Sequence, residues 1–390
     1  MFDDVFYHID DEIDALNFSY IFFSLVSCSF GGCGPNSWPL VIGLPESQEI
    51  RTFFNIGITF MNLINQSYFM PLFFFISAYF IPSSYARKER WEFHYDKCKR
   101  LLIPCIIVTV FEYPITMLLS QSIINSPLVY TPLPGHSWYI LWLSFFCLIY
   151  STLETNTTIV TLKMPSTIVR TIFGLVICGG LMLGMIEALD PVTYFLFIPV
   201  TVGSFVCDVA FFILGILAFR SDWLVQPIRD QLDIPVWLLR VFVVVEGLAI
   251  YACWFFSIQF RELRYVWVIL CGLFCVDMSL ATLELFQTHF NFQTPLLKKL
   301  ADAAYGVYIF HPLFVVCLNA VTIDLYKVGE YGFGIQFDGS VPNSSSNFAG
   351  PQNGGFILLL LWLVINTLSH VLVWPFAYRI KQIPFLNSIF

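Results

Sequence analysis

The chain has 390 residues, of which 57% are hydrophobic and only 12% charged, and 42 of them are Phe. Soluble domains carry about 25% charged residues, so a large soluble core is excluded. The net charge of −8 comes partly from the acidic start DDVFYHIDDEID, and no basic face of the kind that binds nucleic acid is present.

The apolar runs approach the ~20 residues that cross a bilayer. Ten spans are expected, at about 15–32, 58–80, 101–120, 137–154, 168–186, 203–219, 234–256, 264–286, 302–320 and 354–377. The fold class is therefore all-α: a polytopic membrane helix bundle in one domain covering 1–390. The first span is the weakest, broken by Asn17, Ser19, Ser24, Ser27 and Ser29. Its acidic lead does not read as a cleavable signal peptide. Cys28 and Cys33 flank its end and would pair only if that side is oxidising. Cys147, Cys178, Cys253, Cys271, Cys275 and Cys317 lie inside apolar runs and read as small hydrophobes.

The second span runs into the third through QSYFMPLFFFISAYFIPSSYARKERWEFHYDKCKRLLIP, residues 66–104. It is uncharged from Phe69 to Pro82. It then carries Arg87, Lys88, Arg90, Lys97, Lys99 and Arg100, which read as a basic cytoplasmic loop. Such cations are retained on the cytoplasmic face, and they offer a cradle for a phosphorylated cofactor. With both termini cytoplasmic, fifteen of the 19 Lys and Arg fall in inside loops. Arg261 and Arg264 run against that trend, in a very short outside turn. Between the fifth and sixth spans, the Pro-marked stretch 190–199 is expected to dip partly into the bilayer. The segment Asp324–Gly355, rich in Gly, Ser and Asn, reads as an outside loop that cannot fold alone. It holds a glycosylation sequon at Asn343.

Ionisable groups inside a membrane are costly and mark function by default. Glu112, Glu187, Asp208, Glu246, Asp277 and Glu284 lie in or near apolar runs. His311, in YGVYIFHPLF, is the candidate base, because imidazole exchanges protons near neutral pH. The competing reading is a structural histidine beside a carbonyl freed by Pro312. Tyr308, three residues before it, shares its helix face. His136 and Trp138 open the fourth span in PGHSWYILW. They read either as an interfacial anchor or as the wall of a sugar-binding pocket. No metal-ligand motif, phosphate-binding loop or dinucleotide glycine pattern is present.

The motifs MPLFFFISAYFIPSSYARK and YDKCKRLLIP resemble the membrane acyltransferase-3 family, nearest its glucan-succinylation branch. GHSWYILWLSFFCLIY, AFFILGILAFRSDWL and YGVYIFHPLFVV follow in the family's order, so the resemblance covers nearly the whole chain. It implies about ten spans and transfer of a short acyl group from acyl-CoA to a hydroxyl of a carbohydrate or other acceptor. It also implies that the basic segment meets the CoA phosphates, through Lys97 and Arg100 here. Lys97 lacks the bidentate fork of the family's Arg.

The first span departs from the family. The family's turn and Trp match Phe30-Gly31-Gly32 and Trp38, but its catalytic His falls on Leu25 and its Arg on Asp14. Three readings stay open: an acyltransferase with another base, most plainly His311; a transporter using buried carboxylates such as Asp208 and Asp277; and an inactive ligand-binding member.

Overall fold

The computed structural model describes residues 48–123, 127–130, 132–153, 162–180, 183, 193–195, 198–200, 202–257, 260, 262–292, 294–333 and 354–387. The first expected span, Cys28, Cys33, Leu25, Asp14 and the Asn343 sequon lie outside these residues. The described part of each expected span from the second to the tenth is helical.

In chain order the helices are α1 (Gln48–Tyr79), α2 (Ile81–Ala86), α3 (Arg90–Lys97), α4 (Ile103–Ile107), α5 (Tyr113–Ile123), α6 (Trp138–Leu153) and α7 (Thr167–Ile172). After them come α8 (Val202–Arg220), α9 (Ile228–Gln231), α10 (Val236–Ser257), α11 (Leu263–His289), α12 (Pro295–Phe333), α13 (Gly354–Lys381) and α14 (Pro384–Asn387). Among the described residues, three π-helical segments, Cys98–Leu102, Val108–Glu112 and Phe173–Gly180, interrupt the α-helices, and a 3₁₀ turn, Gly135–Ser137, opens α6. Six helical segments among the described residues are long and apolar enough to cross a membrane.

Three expectations change. The basic stretch is not a loop: from Arg90 it is helical, as α3 and the first π segment. One carboxyl in it pairs with two of its cations, one of them at helical spacing. Asp96 takes Lys88 Nζ at 2.7 Å and Arg100 Nε, one turn on, at 3.2 Å. The expected outside loop from Asp324 is helical as far as Phe333, because helical hydrogen bonds are local and do not stop where the apolar run stops. Within 190–199 and just beyond, the chain forms a two-stranded antiparallel hairpin, β1 (Thr193–Phe195) with β2 (Ile198–Val200), so the described fold is helical apart from this pair.

The chain divides into two compact units. Among described residues the first comprises Leu63–Cys105 and Trp138–Ala301. Its centre is aromatic. The ring of Phe74 lies 4.7 Å from Tyr139 and 5.3 Å from Phe146, and Phe146 lies 4.9 Å from Phe212. Such pairs contribute about 0.5–1.5 kcal/mol each beyond area burial. Glycines let backbones meet where no side chain fits. A Cβ on Gly272 of α11 would stand 2.6 Å from the Gly174 carbonyl oxygen, and closer still to the Gly179 backbone. Thr167, at the start of α7, donates its N–H and hydroxyl to Asp233 at 2.7 and 2.6 Å. These bonds hold the Asp233 carboxyl below the usual carboxylate range.

The second unit comprises Ile106–Ser137, Asp302 onward, and the N-terminal part of α1. Here α12 packs on α13. A Cβ on Gly306 would meet the Ala377 Cβ at 3.1 Å, and Phe310 and Phe314 lie 5.3 and 5.1 Å from the Phe376 ring. Lys381 Nζ donates to the Asp302 carbonyl at 2.8 Å.

Candidate active site in the second unit

The site is built on a helix defect. Pro312 lies inside α12 and has no N–H, so the Tyr308 carbonyl one turn earlier loses its helical donor. His311 Nδ1 lies 2.7 Å from that carbonyl oxygen. A carbonyl only accepts, so Nδ1 carries the hydrogen and Nε2 keeps the basic lone pair. The His311 side chain is buried, at 1% exposure, so its orientation is fixed by protein rather than solvent. The same logic recurs at Pro114, which deprives the Val110 carbonyl of its donor; the Tyr130 hydroxyl fills the place at 2.8 Å.

The 3₁₀ turn brings His136 to this point. Gly135 has φ +49°, and a Cβ there would press into the Tyr113 ring, so only glycine makes the turn without strain. Ser137 donates from N and Oγ to the Pro134 carbonyl, at 2.9 and 2.6 Å, which closes it. His136 then faces α12. Its Nε2 donates to the Ile309 carbonyl at 3.1 Å, and the Tyr308 hydroxyl donates to the His136 carbonyl. The His136 ring lies 5.6 Å from His311 and 5.7 Å from Tyr308, and Tyr308 lies 6.2 Å from His311.

Glu112, at the end of the second π segment, reaches the other edge of His136. Its Oε2 is 3.8 Å from Nδ1, and its Oε1 accepts from Thr116 at 3.1 Å. Glu112 is 3% exposed. His370 of α13 lies close enough to His311 to interact electrostatically.

The sequence-predicted residues His136, Tyr308 and His311 therefore meet in one cluster. Trp138, Lys97 and Arg100 belong to the first unit. There Trp138 begins α6, Lys97 ends α3 with its ammonium 5.4 Å from the Phe93 ring, and Arg100 sits in the adjoining π segment, paired with Asp96. Segments of π-helix are often found at functional sites, because the extra residue re-aims the side chains that follow. Sequence reasoning named Glu112 only as a buried carboxyl and did not single out His370. The signal for His370 was its place in the apolar run of the tenth span.

Two histidines, a tyrosine and a carboxyl in one cluster, His311 and Glu112 buried and His136 and Tyr308 half-buried, with one imidazole nitrogen fixed as a base, can take a proton from a hydroxyl. A family model described as an acyltransferase domain matches residues 41–374, which spans both units. The chain belongs to the acyltransferase-3 family. Neither a curated protein nor a solved structure is matched. With the apolar helices, family membership makes the chain a multi-pass membrane protein with a membrane acyltransferase domain. The resemblance carried by the basic segment and by the YGVYIFHPLF motif was thus a true family signal, at family level.

Proposed function

We propose that the chain is an integral-membrane O-acyltransferase moving a short acyl group from acyl-CoA to a hydroxyl of a carbohydrate or other acceptor, with ten spans and both termini cytoplasmic. The observation that carries the reading is His311, whose Nδ1–H is committed to the Tyr308 carbonyl so that Nε2 is the base. Nε2 removes the acceptor's proton as its oxygen attacks the thioester carbonyl. The C–S bond breaks, and the proton passes to the departing thiolate. A thioester is already a good donor, so the protein supplies mainly a base, an oriented acceptor and charge stabilisation. Tyr308 holds the turn that orients His136, and His136 meets the acceptor. Lys97 and Arg100 grip the CoA phosphates, Arg100 exchanging Asp96 for a phosphate oxygen.

One observation favours a second reading, a ligand-binding or transporter-like member without turnover: Leu25 and Asp14 stand where the family's catalytic His and Arg fall. Transfer of labelled acyl groups from short acyl-CoAs into acceptors in isolated membranes separates the two. The enzyme reading expects transfer that disappears in His311→Ala and needs more acyl-CoA in Arg100→Ala. Absence of transfer across a range of short acyl-CoAs, with the chain present and folded, overturns it in favour of the second reading.

A further inference from the structure

The mechanism above leaves Glu112 unused. It is a carboxyl at 3% exposure on a membrane-embedded segment, and its Oε2 receives no hydrogen bond. Thr116 donates to the side chain at Oε1, and the Leu313 amide is a further donor toward the group. Across from Oε2 stands His136 Nδ1, at 3.8 Å. The state of Nδ1 follows from the opposite edge of the ring. Nε2 faces the Ile309 carbonyl at 3.1 Å, so the hydrogen of the neutral imidazole sits on Nε2 and Nδ1 presents a lone pair.

Two lone-pair surfaces facing each other, one of them a carboxylate at 3% exposure, would leave a buried charge whose Oε2 has no donor. One proton between them resolves this. We propose that Glu112 and His136 hold a single proton jointly, and that Glu112 is thereby a positioning residue that locks His136 against His311. The carboxyl is the donor and Nδ1 the acceptor. The opposite arrangement buries two charges at a separation too long for a hydrogen bond, which desolvation disfavours. A small rotation of the carboxyl, or one bridging water, closes the gap. His136 is then held on three sides: Nε2 on Ile309, Nδ1 on Glu112, and its carbonyl on the Tyr308 hydroxyl. Among the described residues, the titratable groups around the pair include Tyr113 of α5, whose ring lies against Gly135, and Tyr308 and His311 from α12, with His370 of α13 reaching it through His311.

The π segment Val108–Glu112 explains how Glu112 arrives there. Its extra residue per turn rotates the helix face, and Pro114, two residues on, frees the Val110 carbonyl for Tyr130 instead of for the next turn.

The functional consequence rests on the acyl-transfer reading of this site, whereas the proton itself does not, so the test has two arms. In the first, infrared difference spectra compare the purified wild type with E112Q. The carboxylic-acid C=O stretch is expected in the wild type and missing from the variant; its absence from the wild type overturns the shared proton. In the second, acyl transfer is measured. E112Q keeps a side-chain N–H to donate to Nδ1, so it retains activity to within about threefold, whereas E112A loses about tenfold or more through kcat rather than KM. Equal activity in E112A, or E112Q as impaired as E112A while both remain folded, overturns the positioning role. A wild type with the band but no transfer would sink the acyl-transfer reading and leave the proton pair standing. A wild type with transfer and no band would do the reverse.

Discussion

Replacing Pro312 with alanine separates the chemistry of the site from its stability. Proline in a helix interior is about 3 kcal/mol less favourable than alanine. Part of that cost is a lost hydrogen bond worth about 1 kcal/mol, and here His311 Nδ1 already occupies the freed Tyr308 carbonyl at 2.7 Å. The backbone gain from Pro312→Ala is therefore about 2 kcal/mol. Against it stands the loss of two buried ring carbons, at about 0.8 kcal/mol each. The terms nearly cancel, so the melting temperature in detergent should move by no more than a few degrees. Activity should not be conserved. The substitution restores a backbone N–H that competes for the Tyr308 carbonyl. His311 then loses about 1 kcal/mol of orientation and tautomer preference, a fall of about fivefold in kcat. Thermal unfolding followed by tryptophan fluorescence, together with initial rates of acyl transfer, measures both. Unchanged rates with unchanged stability would refute the idea that the proline-freed carbonyl sets the base.

Gly135→Ala should cost about 1–2 kcal/mol for the left-handed backbone and about 1–3 more for the clash with Tyr113, seen as a lower melting temperature and lost transfer. Adding Tyr113→Ala should recover the clash contribution and not the backbone one. Gly272→Ala drives a carbon into the Gly174 and Gly179 backbone, which no rotamer relieves, so α11 and the Phe173–Gly180 segment must part. A loss of about 1–3 kcal/mol is expected in a denaturation series. Asp233→Asn should weaken the start of α7 by about 1 kcal/mol, measurable as faster amide exchange there. Because Asp233 is held below its ordinary range, its contribution is present above the unfolded pKa and fades as pH falls through the lower folded value. Wild-type α7 should therefore loosen only under acid conditions, and Asp233→Asn should loosen equally at every pH.

Much of this was legible in the sequence, for a physical reason. Apolar runs near 20 residues leave few choices in a bilayer, so helices over the described parts of these runs, six of them long and apolar enough to cross a membrane, were readable from composition. His311 stood out because an imidazole in an apolar run needs a reason, and Pro312 beside it already announced a freed carbonyl. Other features depended on packing or on local geometry that periodicity does not carry. Glu112 finds His136 across 24 positions of sequence, and a π segment with one extra residue per turn aims it there. The basic stretch looked like a loop because its charges are dense. It is helical from Arg90 on, with Asp96 paired to Arg100 one turn later. The helix end at Phe333 was misplaced because the apolar run ends before the hydrogen-bonding does.

The most direct measurement is thiol release from short acyl-CoAs by the purified chain in proteoliposomes, with a polysaccharide acceptor supplied on either side. Release that depends on the acceptor, vanishes in His311→Ala and persists in Leu25→Ala is the predicted result. Release that is indifferent to His311, or none with any donor from a folded protein, would contradict the assignment of His311 Nε2 as the base.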